Sequence, residues 1–279
     1  MNKKTDVEVL LEYIPAFAVW YKLIILYLFQ FIIFILTMVF FWLISSIIFI
    51  GAILGQFIVS ILLVFYFISM VNDSEKIREK YRKKYNKLAG QHFWYNYLAY
   101  INPIVSASFY FPILLKTDYF FPAIISLPSH FITNSMFPYY IALPIGISLI
   151  IISLLIRRFS GDYGIVTDSY LYMIYPEKGR LITEGMYKYI RNPQYLCRGI
   201  MAIGFGFIAN NIIAVLVGFI HFLSYLAIIP AEDKELIRRF GTEFESYKKN
   251  VPAFLPKYGN WKKFIKFIFI GEKIDVKNK

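Results

Sequence analysis

The run WYKLIILYLFQFIIFILTMVFFWLISSIIFIGAILGQFIVSILLVFYFISMV, from Trp20 to Val71, holds 52 residues with Lys22 as its sole charge. About 20 apolar residues at about 1.5 Å each cross a bilayer, so the run fits two spans and is too long for one. Either Ser45-Ser46 or the Gly51 to Gly55 segment supplies the turn between them. The rest of the chain agrees with that reading. Of its 279 residues, 58% are hydrophobic, 20% aromatic and only 17% charged, with a mean hydropathy of +0.54. Soluble domains are about 45 to 50% apolar and about 25% charged, so an ordinary soluble fold is excluded and the surplus faces a bilayer.

Working outward, the N-terminus carries Lys3 and Lys4, but Asp6, Glu8 and Glu12 follow and no small-residue cleavage site closes the apolar run, so no signal peptide is expected. Asn72 to Gly90 holds seven basic and three acidic residues and reads as a cytoplasmic loop. Phe93 to Leu115 is a third span, bent at Pro103 and Pro112, and Lys116 to Met136 an outer loop. Phe137 to Ile156 is a fourth span, ended by Arg157-Arg158. Phe159 to Asn192 is an ordered cytoplasmic loop. Pro193 to Ala209 and Ile212 to Ile229 form a helical hairpin turned at Asn210-Asn211.

Beyond Pro230, Leu236, Phe240, Phe244, Tyr247 and Val251 recur at helical spacing, with Glu235/Arg239 and Glu245/Lys249 at i,i+4, which predicts one amphipathic surface helix. The tail from Lys257 mixes Trp261, Phe264, Ile265, Phe267 and Ile268 with Lys262, Lys263 and Lys266, as an interfacial anchor does. The expectation is therefore an all-α integral membrane protein with about six transmembrane helices. An N-terminal region of about four spans (1–158) precedes a second region (159–279) of cytoplasmic loop, hairpin (193–229), amphipathic helix and tail. The Lys and Arg excess, 30 against 18 acidic residues, marks its cytoplasmic face. No nucleic-acid or protein partner is expected.

Two constellations carry candidate chemistry. Arg191-Asn192-Pro193-Gln194-Tyr195 opens an apolar span: Asn192 fits a helix N-cap and Pro193 the first helical position. A helix start also offers free backbone N–H groups to an anion, and Arg191 adds a planar cationic fork. Glu232-Asp233 follows the last span, and a hairpin returns these carboxylates to the level of Arg191, a polar cluster able to hold a zwitterion. Arg198 sits one turn inside a span, where snorkelling is the plainer account, and His221 near mid-span reads as a structural histidine. One cysteine, Cys197, and three scattered histidines offer no metal site.

The run G-R-L-I-T-E-G-M-Y-K-Y-I-R-N-P-Q-Y-L from Gly179 to Leu196, the hairpin, and E-D-K-E-L-I-R-R-F-G-T-E-F-E-S-Y-K-K-N-V-P-A-F-L-P from Glu232 to Pro256 together resemble the isoprenylcysteine carboxyl methyltransferase and phospholipid methyltransferase superfamily. Its pattern is G-x-Y-x-x-x-R-H-P-x-Y, a hairpin, a carboxylate pair and F-G-x-x-Y/F-x-x-Y-x-x-x-V-P. The order and spacing of all parts carry the likeness, over 78 of the 279 residues.

The resemblance implies a membrane-embedded methyltransferase that takes S-adenosylmethionine at a site facing the cytoplasm and a lipophilic acceptor from among the membrane lipids or other hydrophobic molecules. It assigns Tyr187, Arg191, Asn192, Pro193, Tyr195, Leu196 and Glu232 to the cofactor, and Arg191, Glu232 and Asp233 to catalysis. Three positions depart from the pattern. Asn192 replaces a histidine, Cys197 a frequent glycine, and Ile228 the arginine with which prenylcysteine methyltransferases meet an anionic acceptor. An unpaired carboxylate in a low-dielectric pocket is unfavourable by several kcal/mol, so the last departure points to N- or O-methylation of a lipid head group or other small molecule, unless Arg198 supplies the charge. The alternatives are an isoprenylcysteine-type carboxyl O-methyltransferase, an NADPH-dependent sterol-reductase-like enzyme, the final G-E of whose R-x-H-P-x-Y-x-G-E ending is replaced here by Cys197-Arg198, and a non-enzymatic membrane scaffold.

Overall fold

A computed structural model describes residues 11–47, 51–115, 136–161 and 173–271. Within them every regular element is helical. Helix α1 (Trp20–Ile47) and α2 (Gly51–Asn72) are the two spans expected from the opening run. Ser45-Ser46 and Gly51 to Gly55 are both helical, and the residues between the two helices, 48–50, lie outside the described residues. The basic stretch after α2 is not a loop but helix α3 (Ser74–Tyr85). Its Lys, Arg and Glu are good helix formers, with Glu75 in the first turn and Arg82, Lys83 and Lys84 in the last, as the helix dipole favours. Tyr81 turns inward and anchors it.

Helix α4 (Ala89–Phe93) continues through a π-helical turn at Trp94–Leu98 into α5 (Ala99–Leu114), which contains Pro103 and Pro112. Then come α6 (Tyr139–Gly161), α7 (Pro193–Ala209), α8 (Ile212–Phe240), α9 (Thr242–Asn250) and α10 (Trp261–Ile270). Four of these, α1, α2, α6 and α8, are long and apolar enough to cross a membrane. The expected third and fifth spans contain shorter helices, 16 residues in α5 and 17 in α7. Residues 116–135 of the expected outer loop and 162–172 of the cytoplasmic loop lie outside the described residues.

Asn210 makes the hairpin turn in a left-handed conformation (φ 52°), and Asn211 caps α8 by accepting from the Ile213 amide at 2.8 Å. The Asn210 side chain bonds both N–H and C=O of Phe137, tying the turn to the start of α6. Close packing of α7 on α8 needs glycine: a Cβ on Gly218 would stand 2.6 Å from the Ala202 carbonyl oxygen. Small residues at such crossings let helices gain van der Waals contact that lipid does not offer. Helix α7 lies between α6 and α8, α8 also packs on α2, and α1 packs on α2 and α5. The outer faces stay apolar: Ile25, Leu28, Ile32 and Leu36 of α1 are all exposed. A surface of that kind belongs against hydrocarbon.

The amphipathic segment is not the single separate helix expected. Helix α8 passes straight through Pro230 and ends only at Gly241 (φ 55°), after which α9 starts. Pro230 lacks the N–H that the Leu226 carbonyl would accept, a loss one helix turn tolerates where neighbours support it. Of the α10 tail, Phe264, Phe267 and Ile268 pack against Ile156 and Phe159, while Ile265, Phe269 and Ile270 are exposed.

Candidate active site

The V-P-A run at 251–253 brings the two distant parts of the site together. The Arg191 amide donates to the Pro252 carbonyl at 2.9 Å and the Asn192 amide to that of Ala253 at 3.0 Å. Arg191 Nε adds a bond to the Val251 carbonyl at 3.0 Å. The Asn192 side chain also turns to Ala253, so no side chain caps α7 and Pro193 leads the helix. Asn192 stands at the N-cap position but accepts no capping bond, and its Nδ2 donates across the fold to the Ala253 carbonyl at 3.4 Å.

Arg191 pairs with Asp233, both nearly buried, and its guanidinium lies over the Phe244 ring. Lys248 reaches the other Asp233 oxygen at 3.0 Å. Beside them, Tyr195 donates its hydroxyl to Glu232 and stacks on Tyr225 with ring centroids 4.7 Å apart. Tyr247 donates to the Tyr187 carbonyl at 2.8 Å, and burial pushes its phenol well above the usual range, so it stays a donor. Helix α9 is thus latched to the loop before α7.

These groups line one cavity of about 360 Å³, within the ~300 to 1,000 Å³ typical of small-molecule sites. Tyr187, Arg191, Asn192, Pro193, Tyr195, Glu232 and Asp233 all border it. Leu196 and Cys197 do not: both sit in the apolar cluster with Ile156 and Phe264, one helical face away. Cys197 therefore does not narrow the cavity at α7. The amphipathic stripe Leu236, Phe240, Phe244 and Tyr247 borders the cavity rather than a separate core.

Several cavity residues lie outside the sequence-based selection. Phe67 and Met70 of α2 and Asn102 and Val105 of α5 form a wall contributed by the N-terminal helices. Arg198 and Ile228 face the same cavity. Arg198, a charge in an apolar stretch, carried a signal; the apolar wall carried none, because a cavity-facing Phe and an outward-facing Phe look alike in sequence. Glu235, expected in a surface pair with Arg239, is buried and bonded to Arg78 and to Ser74 Oγ at 3.0 Å, with Arg238 at 3.3 Å. Arg78 Nε also holds the Met173 carbonyl at 2.8 Å. Helix α3 thereby fixes both α8 and the loop that covers the cavity.

Residues 139–243 match the phospholipid methyltransferase family. The chain is also similar to three curated proteins over short stretches. It is 34% identical over 88 residues to the nickel-cobalt-cadmium resistance protein NccN of Alcaligenes xylosoxydans xylosoxydans, which is 31% of this chain and 41% of that protein. Over 77 residues it is 31% identical to the protein-S-isoprenylcysteine O-methyltransferase of Schizosaccharomyces pombe, 27% of this chain and 33% of that protein. Over 88 residues it is 33% identical to the cobalt-zinc-cadmium resistance protein CzcN of Cupriavidus metallidurans, 31% of this chain and 40% of that one. The matched stretches span 33% to 41% of these relatives. No solved structure matches the chain.

Proposed function

We propose that this protein is a membrane-embedded methyltransferase that uses S-adenosylmethionine and methylates a lipophilic acceptor at N or O. One observation carries the reading: seven residues, from Tyr187 to Asp233, that the superfamily pattern assigns to cofactor and catalysis converge on a single cavity. The residues present fit the cofactor. Glu232, steadied by Tyr195, offers carboxylate oxygens to an ammonium or to ribose hydroxyls, and the uncapped start of α7 offers backbone N–H groups to a carboxylate. When bound, the cofactor supplies a methyl group on a sulfonium, so the chain's own task is to align the acceptor and exclude water. Asp233 serves by holding Arg191 in place. The helices of 1–158 contribute Phe67, Met70, Asn102 and Val105 to the acceptor's wall.

The test is calorimetry with S-adenosylmethionine. Glu232→Ala and Tyr195→Phe should each weaken binding by about tenfold or more, the usual loss for a charge-assisted bond in a shielded site. Unchanged affinity in both variants would sink the assignment. Six spans with the cavity facing the cytoplasm belong to the same proposal. Cysteines introduced by Lys84→Cys and Lys249→Cys, with Cys197 buried, should label from the cytoplasmic side alone. Labelling of either from outside refutes that orientation.

Carboxyl O-methylation is the second reading, favoured by Arg198. Ile228 leaves no cation at the expected position, but Arg198 reaches the same cavity from the facing helix and can neutralise an anionic acceptor. Labelled S-adenosylmethionine offered with lipid extract and a farnesylcysteine analogue separates the two. Label in lipid supports the first; base-labile label on the analogue alone supports the second.

A further inference from the structure

A polar chain runs from the middle of the helix bundle to this cavity. Gln56 Nε2 on α2 donates to Ser108 Oγ on α5 at 2.6 Å and to Ser60 Oγ at 3.1 Å. Ser108 Oγ meets His221 Nδ1 at 3.0 Å, and His221 Nε2 meets the Tyr225 hydroxyl at 3.1 Å. All five residues are buried, Ser60 the most accessible at 6%. Buried polar groups in an apolar bundle cost stability unless they are hydrogen-bonded, as these are to one another, and such groups mark candidate functional positions.

The chain has a direction in the tautomer we assign to His221. Ser108 accepts from the Gln56 amide and gives its single proton to His221 Nδ1. The imidazole then carries its own proton on Nε2 and gives it to Tyr225. Tyr225, already accepting, keeps its proton for the cavity that it borders. Arg198 reaches the Tyr225 hydroxyl as well, placing a second donor at the same spot. The opposite Gln56 amide orientation would bury two N–H groups without partners, a rarer fault than the one partnerless oxygen, Gln56 Oε1, found here.

We infer that Tyr225 and Arg198 bind an anionic oxygen, phosphate or carboxylate, of the amphiphile that enters the cavity, and that Gln56, Ser108 and His221 are positioning residues that keep Tyr225 a donor. The inference rests on the methyltransferase reading only in taking that amphiphile to be the methyl acceptor. The binding site stands apart from it.

The experiment measures binding of dodecyl phosphate, dodecanoate, dodecanol and inorganic phosphate to the purified chain in neutral detergent, with S-adenosylmethionine titrated into the same samples. The wild type should bind both anionic amphiphiles about tenfold more tightly than dodecanol, and inorganic phosphate more weakly than dodecyl phosphate. Arg198→Gln and Tyr225→Phe should each remove about tenfold for dodecyl phosphate and leave dodecanol unchanged. Ser108→Ala removes the hydroxyl that fixes the imidazole proton on Nε2, so Tyr225 is no longer held as a donor toward the cavity; this variant should lose affinity for the anions alone, although Ser108 does not border the cavity. No preference for anions, a preference that survives both cavity variants, equal losses for dodecanol in Ser108→Ala, or inorganic phosphate bound as tightly as dodecyl phosphate would each overturn the inference. Anion selection without S-adenosylmethionine binding keeps this site and removes the methyltransferase reading. The reverse result removes this site and keeps that reading.

Discussion

Helices α1 and α8 are nearly equal in length, 28 and 29 residues, and both are apolar enough to cross a bilayer. Their surroundings differ. Only 11% of the α1 apolar window is buried within the protein, against 50% for α8. Helix α1 is exposed on most sides and reaches the core through few side chains, Phe41 and Met38 among them. Helix α8 carries His221, Glu232, Asp233 and Glu235, each bonded to another element, and its glycine contact with α7 leaves no room for a side chain. In a membrane protein apolarity marks a span, while burial within the protein marks the span that holds the site.

The sharpest break of that contrast is Arg191→Ala. It strands the nearly buried Asp233 with Lys248 alone and removes the Nε bond to Val251, so a stability loss of about 3 to 5 kcal/mol is expected. Unfolding in detergent reads it directly. For the same reason Arg191→Ala is a poor probe of ligand contact, and Glu232 and Tyr195 are the cleaner ones. A loss below about 1 kcal/mol would mean that the pair is not buried as described.

Next in size is a matched pair of small substitutions. Gly218→Ala pushes a methyl into the Ala202 backbone and should destabilise by about 1 to 3 kcal/mol, whereas Leu28→Ala on the exposed face of α1 should stay within about 0.5 kcal/mol. Thermal unfolding of the two variants side by side measures the contrast. Equal effects would erase the distinction between the helices.

The smallest effect lies at the rim, where Arg82 of α3 bonds Glu177 of the cavity loop at 2.7 Å. Partial burial pushes the Glu177 carboxyl up, but the Arg82 hydrogen bond and charge outweigh it, and the net direction is below the ordinary value. A carboxylate held low adds stability above its unfolded-state pKa and loses it as pH falls through the lowered one. Glu177 is 52% exposed, so solvent screening limits the term to about 0.5 kcal/mol or less. Glu177→Gln should therefore be marginally less stable than wild type at neutral pH and equal to it in acid, and a difference that persists in acid would assign the effect to something other than charge.

Several features are fixed by sequence because their causes are local. Length and apolarity mark the candidate spans, Asn210-Asn211 sets the hairpin turn, and R-N-P-x-Y, E-D and V-P are segments that meet in the fold. Even the basic stretch at Ser74–Tyr85 held its helix in plain view, in the composition of its first and last turns. Other features depend on which face of an apolar helix meets protein and which meets lipid, and hydrocarbon leaves no alternation in sequence to tell them apart. That is why Leu196 and Cys197 turn from the cavity while Arg198 turns into it, why Phe67 and Val105 become its wall, and why Arg191 spends its charge on Asp233. Only the packing of α2 and α5 against α8 brings Gln56 and Ser108 to His221, since the three lie far apart along the chain and meet through helix contacts alone.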